Sequence, residues 1–265
     1  MYNFELSAFG DEINANITEQ MNVLERNGVK FIELRGINGV NISDWKPKEF
    51  KEIINQMKSR GFGVSSLGSP IGKIGINDDF EGHLDKFKNT LDLAAVANTA
   101  YIRMFSFYMP QNECEKYREK VLERWNKFVE AAKGYNVTLL HENEHGIYGE
   151  SAKNCLDLIK TLNSDKVKAV FDPANFTIDG HDTIEAFELL KDYSVYFHIK
   201  DAKKAERRVV PSGEGDGNLK YLIDSLKERD FNGFLSLEPH LATGDISVGG
   251  DALFEIALNA LRKLI

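Results

Sequence analysis

Cysteine is scarce: Cys114 and Cys155 are the two in 265 residues and share no CxxC spacing, so neither a disulfide framework nor a zinc knuckle is indicated and free thiols are expected. Basic residues are the minority, with 33 Lys and Arg against 41 Asp and Glu, and the net charge of −8 repels a phosphate backbone and argues against nucleic acid as a partner. Long apolar runs are missing too, since no stretch reaches the ~18 residues a membrane helix needs. Met1 to Gly10 carries Glu5 and lacks a basic n-region, so a cytoplasmic chain without a membrane partner is expected. No low-complexity segment, proline-rich linker or charge run marks a boundary, and residues 1–265 read as a single domain.

What is present is an alternation. Short apolar runs rich in β-branched and aromatic residues fall near residues 4–9, 30–35, 62–67, 100–106, 136–142, 167–172, 194–200 and 233–238, giving eight candidate strands. Segments with helical spacing lie between them. The clearest places Tyr117, Val121, Leu122, Trp125, Phe128, Val129 and Ala132 on one face and stops at Gly134, and Gly28, Gly61 and Gly233 punctuate other junctions. Eight βα units in roughly 250 residues are what a (β/α)8 TIM barrel requires. The rival, a doubly wound open sheet, wants a glycine-rich phosphate turn after its first strand, where Phe9-Gly10-Asp11-Glu12 offers one glycine and two acids.

A barrel carries its site at the C-terminal strand ends. Four consecutive strands end in chemistry: Leu140-His141-Glu142-Asn143, Phe171-Asp172-Pro173-Ala174-Asn175, His198-Ile199-Lys200-Asp201 and Leu237-Glu238-Pro239-His240. Glu142, Asp172, His198 and Glu238 are 30, 26 and 40 residues apart, close to the length of one βα unit, so they are expected to converge on one axis. Alternation along the strands then assigns faces. Tyr196, His198 and Lys200 share one parity and Phe197 and Ile199 the other; Tyr101, Arg103 and Phe105 oppose Ile102 and Met104; Phe31, Glu33 and Arg35 oppose Ile32 and Leu34. An interior holding these charges is costly unless they pair or bind something. Three carboxylates and an imidazole suit a divalent cation, with Mn, Mg, Co and Zn all possible, and leave positions open for a carbonyl and its neighbouring hydroxyl. Two flanking glutamates can then move a proton on and off carbon through an enediolate, which is isomerase or epimerase chemistry.

On these residues the sequence resembles the xylose isomerase-like TIM barrel superfamily, which includes sugar phosphate isomerases and the tagatose and psicose 3-epimerases. The resemblance covers essentially the whole chain. It implies that Glu142, Asp172, His198 and Glu238 hold one divalent metal ion, most often Mn in such enzymes, and that Glu142 and Glu238 are the catalytic acid/base pair acting on a small-molecule sugar or sugar phosphate. Glu33-Leu34-Arg35-Gly36, Ser69-Pro70-Ile71-Gly72-Lys73, Arg103-Met104-Phe105-Ser106-Phe107 and Gly213-Glu214-Gly215-Asp216-Gly217 look similar to a subgroup known only as sugar phosphate isomerases. Two positions depart from the epimerase pattern: Asn175 stands where a His is frequent, and Lys204 where an Arg is frequent. An inosose-type dehydratase using the same metal and base, and a non-catalytic sugar-binding barrel, are the alternatives. The abasic-site endonuclease branch needs extra histidines that Gly68 to Pro70 and Arg103 to Phe107 do not supply. Barrels of the family often pair, so a homo-oligomer is also an expectation.

Glu33, Arg35, Lys73, Arg103, Asn175, Lys200, Glu214 and His240 are the candidate substrate-binding residues. Glu33, across the barrel from the fifth to eighth strands, is expected to support a ligand or bond substrate rather than hold metal. Lys200 and Arg103 either meet substrate oxygens or neutralise the acidic interior. His141 is expected to pack outward, His83 and His181 to lie on the surface, Glu144 to be solvated, and His145 and His240 to sit in loops. Gly213 to Gly217 reads as a flexible loop at the site or a long turn.

Overall fold

Strand ranges follow the apolar runs. In the computed structural model, which describes residues 1–241 and 249–265, β1 (Asn3–Phe9), β2 (Phe31–Leu34), β3 (Gly63–Leu67), β4 (Tyr101–Met104), β5 (Thr138–Glu142), β6 (Val167–Phe171), β7 (Ser194–Ile199) and β8 (Asn232–Leu237) close into one parallel barrel in the order β1-β8-β7-β6-β5-β4-β3-β2. The helices are α1 (Ile17–Arg26), α2 (Pro47–Ser59), α3 (Glu81–Ala97), α4 (Cys114–Ala131), α5 (Ala152–Leu162), α6 (Pro173–Ile178), α7 (Thr183–Leu190), α8 (Leu219–Glu228) and α9 (Gly250–Arg262). The (β/α)8 barrel expected from the alternation is therefore the fold.

Local chemistry sets the helix ends. Asn16 caps α1 by accepting from the Thr18 and Glu19 amides, Ser151 caps α5 and Asp182 caps α7, each satisfying backbone donors that a helix start leaves open. Pro47 opens α2, where its missing N–H costs nothing. Gly134, at φ +88, turns the chain after α4. Val121, Leu122, Trp125 and Phe128 bury the predicted face of α4. Arg124 is buried with them, donating to the Asp78 carbonyl at 2.8 Å and lying over Phe80 and Phe107.

Two small hairpins were not anticipated, Gly36–Ile37 with Val40–Asn41 and Asp201–Lys203 with Arg208–Val210. The first turns on Asn38 and Gly39, both at positive φ (53 and 77), which is the Asn-Gly signature of a tight two-residue turn. Two register shifts shape the barrel: Ile32 faces Val64 while Glu33 faces Ser66, making Ser65 an extra residue on β3, and Val195 is likewise extra on β7.

Inside the barrel, strand alternation separates two storeys. Leu140, Val170 and Tyr196, with Tyr101, Val195 and Phe234, form an apolar plug distinct from the larger core between strands and helices. The rings meet edge-on or tilted, Phe31 with Phe234 at 5.0 Å, Tyr101 with Tyr196 at 5.7 Å, and Tyr196 with Phe234 at 5.7 Å. Two residues further along several of these strands the side chains become ionic.

Candidate metal centre and active site

Glu142 ends β5, Asp172 follows β6, His198 lies on β7 and Glu238 follows β8, and all four are buried. Each offers one donor atom, and the four atoms lie within 4.8 Å of one another. His198 Nδ1 is 2.9 Å from Glu142 Oε1 and 3.8 Å from both Asp172 Oδ2 and Glu238 Oε2. Burial would lower the His198 pKa, but the Glu142 and Glu33 carboxylates outweigh it and raise it well above its usual value.

The backbone presents these groups with little freedom. Asp172 Oδ1 caps α6 by accepting the Asn175 amide at 2.9 Å, which leaves Oδ2 for the centre. Asn143 clasps the Asp172 backbone at both ends, accepting its N–H at 3.0 Å and donating to its carbonyl at 2.9 Å. Asn175 donates its side-chain amide to the Asn143 carbonyl, so it braces Asp172.

Cations close in from above. Lys200 Nζ stands 2.8 Å from Asp172 Oδ2 and 2.8 Å from Glu238 Oε2, and those carboxylates raise its pKa against the effect of burial. Arg103 Nη1 is 3.3 Å from Glu142 Oε2 and 3.9 Å from Glu238 Oε1, while its Nη2 donates to the Gly68 carbonyl. Arg35 binds Glu238 at 3.0 Å, Asp11 at 2.8 Å and Glu12 at 3.2 Å. His240 joins Glu12 at 2.9 Å and faces Glu238 at 3.5 Å. Burial alone would raise Glu238, yet Lys200, His240, His198 and Arg103 together hold it well below the usual carboxylate range. The Phe9 ring floors the site, 4.7 Å from the Arg35 guanidinium, 5.0 Å from that of Arg103 and 5.2 Å from the His198 ring.

The remaining candidates are placed differently from one another. Lys73 lies over Phe105 and pairs with Glu144 at 2.7 Å, so Glu144 is not the solvated residue that was expected. Glu214 is exposed on a turn and meets none of the four converging residues. That turn is held in place from within: Asp201 accepts the amides of Gly213, Gly215 and Gly217 at 2.8, 3.1 and 2.9 Å, besides that of Ala202. His83 is half-buried and accepts the Gly72 amide at 2.7 Å, which corrects its expected surface position; burial, Lys86 and Arg124 lower its pKa to about 4. His181 is half-buried against Phe176. His141 packs outward against Trp125 and bonds Ser106, its pKa lowered by burial to about 3. His145 is an exposed loop residue bonded to Asp179. Glu33 reaches across the barrel to His198, its two oxygens standing 3.4 and 3.3 Å from Nε2. Phe9, Asp11, Glu12, Asn143 and Tyr196 were missed by sequence reasoning. In the sequence the acids after β1 signal only the absence of a phosphate turn.

The donor set fits a divalent cation. Glu33, Glu142, Asp172 and Glu238 are four carboxylates buried around the His198 imidazole, and buried Glu142 Oε2 accepts no hydrogen bond among the described residues. Hard oxygen donors with one imidazole match Mn, Mg, Co or Zn.

The profile of the xylose isomerase-like TIM barrel family matches residues 21–264. The chain belongs to that family. Among known proteins, 3-dehydroshikimate dehydratase of Bacillus anthracis is 20% identical over 241 residues, 84% of this chain and 85% of the relative. Two solved structures superpose along nearly their full lengths. The IolI protein with a bound zinc atom gives a TM-score of 0.80 at 16% identity, covering 98% of each chain. A D-tagatose 3-epimerase-like protein gives 0.78 at 16% identity, also covering 98% of each. At these identities the structural likeness is one of fold. No helix among the described residues is long and apolar enough to cross a membrane.

Proposed function

We propose that this xylose isomerase-like protein is a divalent-metal-dependent isomerase or epimerase that moves a proton on the carbon beside a carbonyl of a small polyhydroxylated substrate. The reading is carried by the convergence of buried Glu142, Asp172, His198 and Glu238 within 4.8 Å. A divalent cation held by these four would polarise the carbonyl and its neighbouring hydroxyl and acidify the carbon-bound proton. The protein supplies the rest. Glu142, whose Oε2 accepts no hydrogen bond among the described residues, takes the proton from carbon. On the other side Glu238 and the Lys200 ammonium, 2.8 Å apart, return one. Arg103 and Arg35 place guanidinium groups beside the charge that develops on oxygen, and the Phe9 ring keeps the floor dry.

The match to 3-dehydroshikimate dehydratase favours a second reading on the same residues. There Glu142 removes the proton, the carbon–oxygen bond β to the carbonyl breaks, a carbon–carbon double bond forms, and Lys200 protonates the hydroxyl that leaves as water.

Incubation of the Mn-loaded protein with ketoses, ketose phosphates and β-hydroxy ketones in deuterated water, followed by proton NMR, tests both. Deuterium beside a carbonyl in a product that keeps every hydroxyl supports the isomerase or epimerase. Loss of a carbon-bound hydroxyl moves the assignment to the dehydratase. Sugar binding with no deuterium entering any compound overturns both readings and leaves a binding barrel.

A further inference from the structure

Metal ligands are only half of a working centre, because an imidazole must present the correct nitrogen as a lone pair. The ring of His198 has its two nitrogens in different company. Nδ1 faces Glu142, Asp172 and Glu238 at 2.9, 3.8 and 3.8 Å. Nε2 faces Glu33 alone among the carboxylates of the described residues, with Oε1 at 3.4 Å and Oε2 at 3.3 Å. Glu33 is itself buried, as are Tyr196 and His198.

Proton counting gives the arrangement a direction. The Tyr196 hydroxyl donates to Glu33 Oε2 at 2.9 Å. Having one proton, it must accept from Ser65 Oγ at 2.9 Å. Ser65 in turn has spent its proton, so it accepts from Ser7 Oγ at 2.6 Å. The row Ser7, Ser65, Tyr196, Glu33 therefore points its donors one way and ends on a carboxylate that only accepts. The β3 register shift that makes Ser65 an extra residue gives the row its second member.

We propose that Glu33 is a positioning residue for His198: it accepts the Nε2 proton, fixing the tautomer and the ring plane that aim the Nδ1 lone pair at the space among Glu142, Asp172 and Glu238, and Tyr196 holds Glu33 in register. This rests on the metal reading of the proposed function and adds to it a residue that touches neither ion nor substrate. A carboxylate on the far nitrogen of a ligating histidine raises its basicity, and loss of such a partner characteristically weakens metal binding about 10- to 100-fold.

The test is equilibrium titration of the full chain with Zn2+ against a chromophoric chelator, for the wild type, Glu33→Gln and Tyr196→Phe. It is paired with Co2+ absorption spectra and with the proton resonance of His198 Nε2–H in the Zn-loaded protein. Glu33→Gln is expected to weaken Zn2+ about 10- to 100-fold, and Tyr196→Phe by less. In both variants the Co2+ spectrum shifts and the Nε2–H resonance moves upfield, which a loss of packing alone would not produce. Tyr196→Phe retains the ring in the apolar plug and carries the test if Glu33→Gln does not fold. Unchanged Zn2+ affinity, Co2+ spectrum and Nε2–H resonance in the variants, with wild type binding metal, overturns the role of Glu33 alone. Wild type that takes up no Zn2+, Mn2+ or Co2+ overturns the metal reading beneath it.

Discussion

The two storeys of the barrel interior are built by the same strands two residues apart, and they have opposite chemistry. Phe31 gives way to Glu33, Tyr101 to Arg103, Leu140 to Glu142, Val170 to Asp172, and Tyr196 to His198. The lower members are apolar or aromatic and pack on one another. The upper members are all buried, whereas Phe31 and Tyr101 below are half-buried, and the upper members meet through charge. The lower storey is stabilised by removing surface from water, at about 25 cal/mol per Å2. The upper storey gains nothing that way and holds together only because each carboxylate finds a cation or donor. Closure of the barrel is therefore secured below, and the upper storey is free to be arranged for chemistry.

That division can be broken or sharpened by substitution. The largest effect is expected in turnover: once a substrate is identified, Glu142→Gln lowers kcat by about 10²- to 10⁴-fold, read by steady-state kinetics, with little change in thermal stability. Next, Lys200→Met leaves Asp172 and Glu238 without their shared cation, which costs the metal-free protein about 3–5 kcal/mol in urea unfolding. Saturating Mn2+ should recover more of that loss in the variant than it adds to the wild type. Leu140→Ala does the reverse: it opens a cavity in the lower storey and costs about 2–5 kcal/mol, and Zn2+ affinity measured by chelator competition stays at the wild-type value. A Leu140→Ala variant with weakened Zn2+ binding would show that the storeys are coupled.

The smallest effect lies outside both storeys, at histidines held neutral in the outer layer. His83 is lowered to about 4 and His141 to about 3, in each case chiefly by burial. Because the folded values lie below the unfolded one, their stabilisation is complete above about pH 6.5 and is lost as pH falls toward 4 and then 3. A plot of Tm against pH for His83→Asn should be flatter than that of the wild type between pH 6.5 and 4, and for His141→Gln flatter across the whole range from 6.5 to 3.

The eight strands and the convergence of Glu142, Asp172, His198 and Glu238 were legible because both follow from periods: two residues along a strand and one βα unit between strand ends. What lacked a period was not legible. The three-residue turn that brings Asp11 and Glu12 to Arg35 leaves no repeat in the sequence. The short helix α6 follows Asp172 at once, so one carboxyl both caps and faces the centre. Asn38-Gly39 carries the dipeptide signal of its tight turn in the sequence itself. The sequence sets Glu33 across the barrel as a support for a ligand or a bond to substrate, without saying which ligand it meets. An eight-stranded barrel, however, has an interior only wide enough for side chains to fill, so residues on opposite strands meet.

The cage around Asp201 has a consequence for how one rim of the barrel comes apart. Amides from Ala202, Gly213, Gly215 and Gly217 all answer to a single carboxylate, and side chains at Gly215 and Gly217 would collide with it. The segment is thus strung from one knot. Its four tethers share a common release, so this stretch should open as one cooperative unit instead of fraying residue by residue.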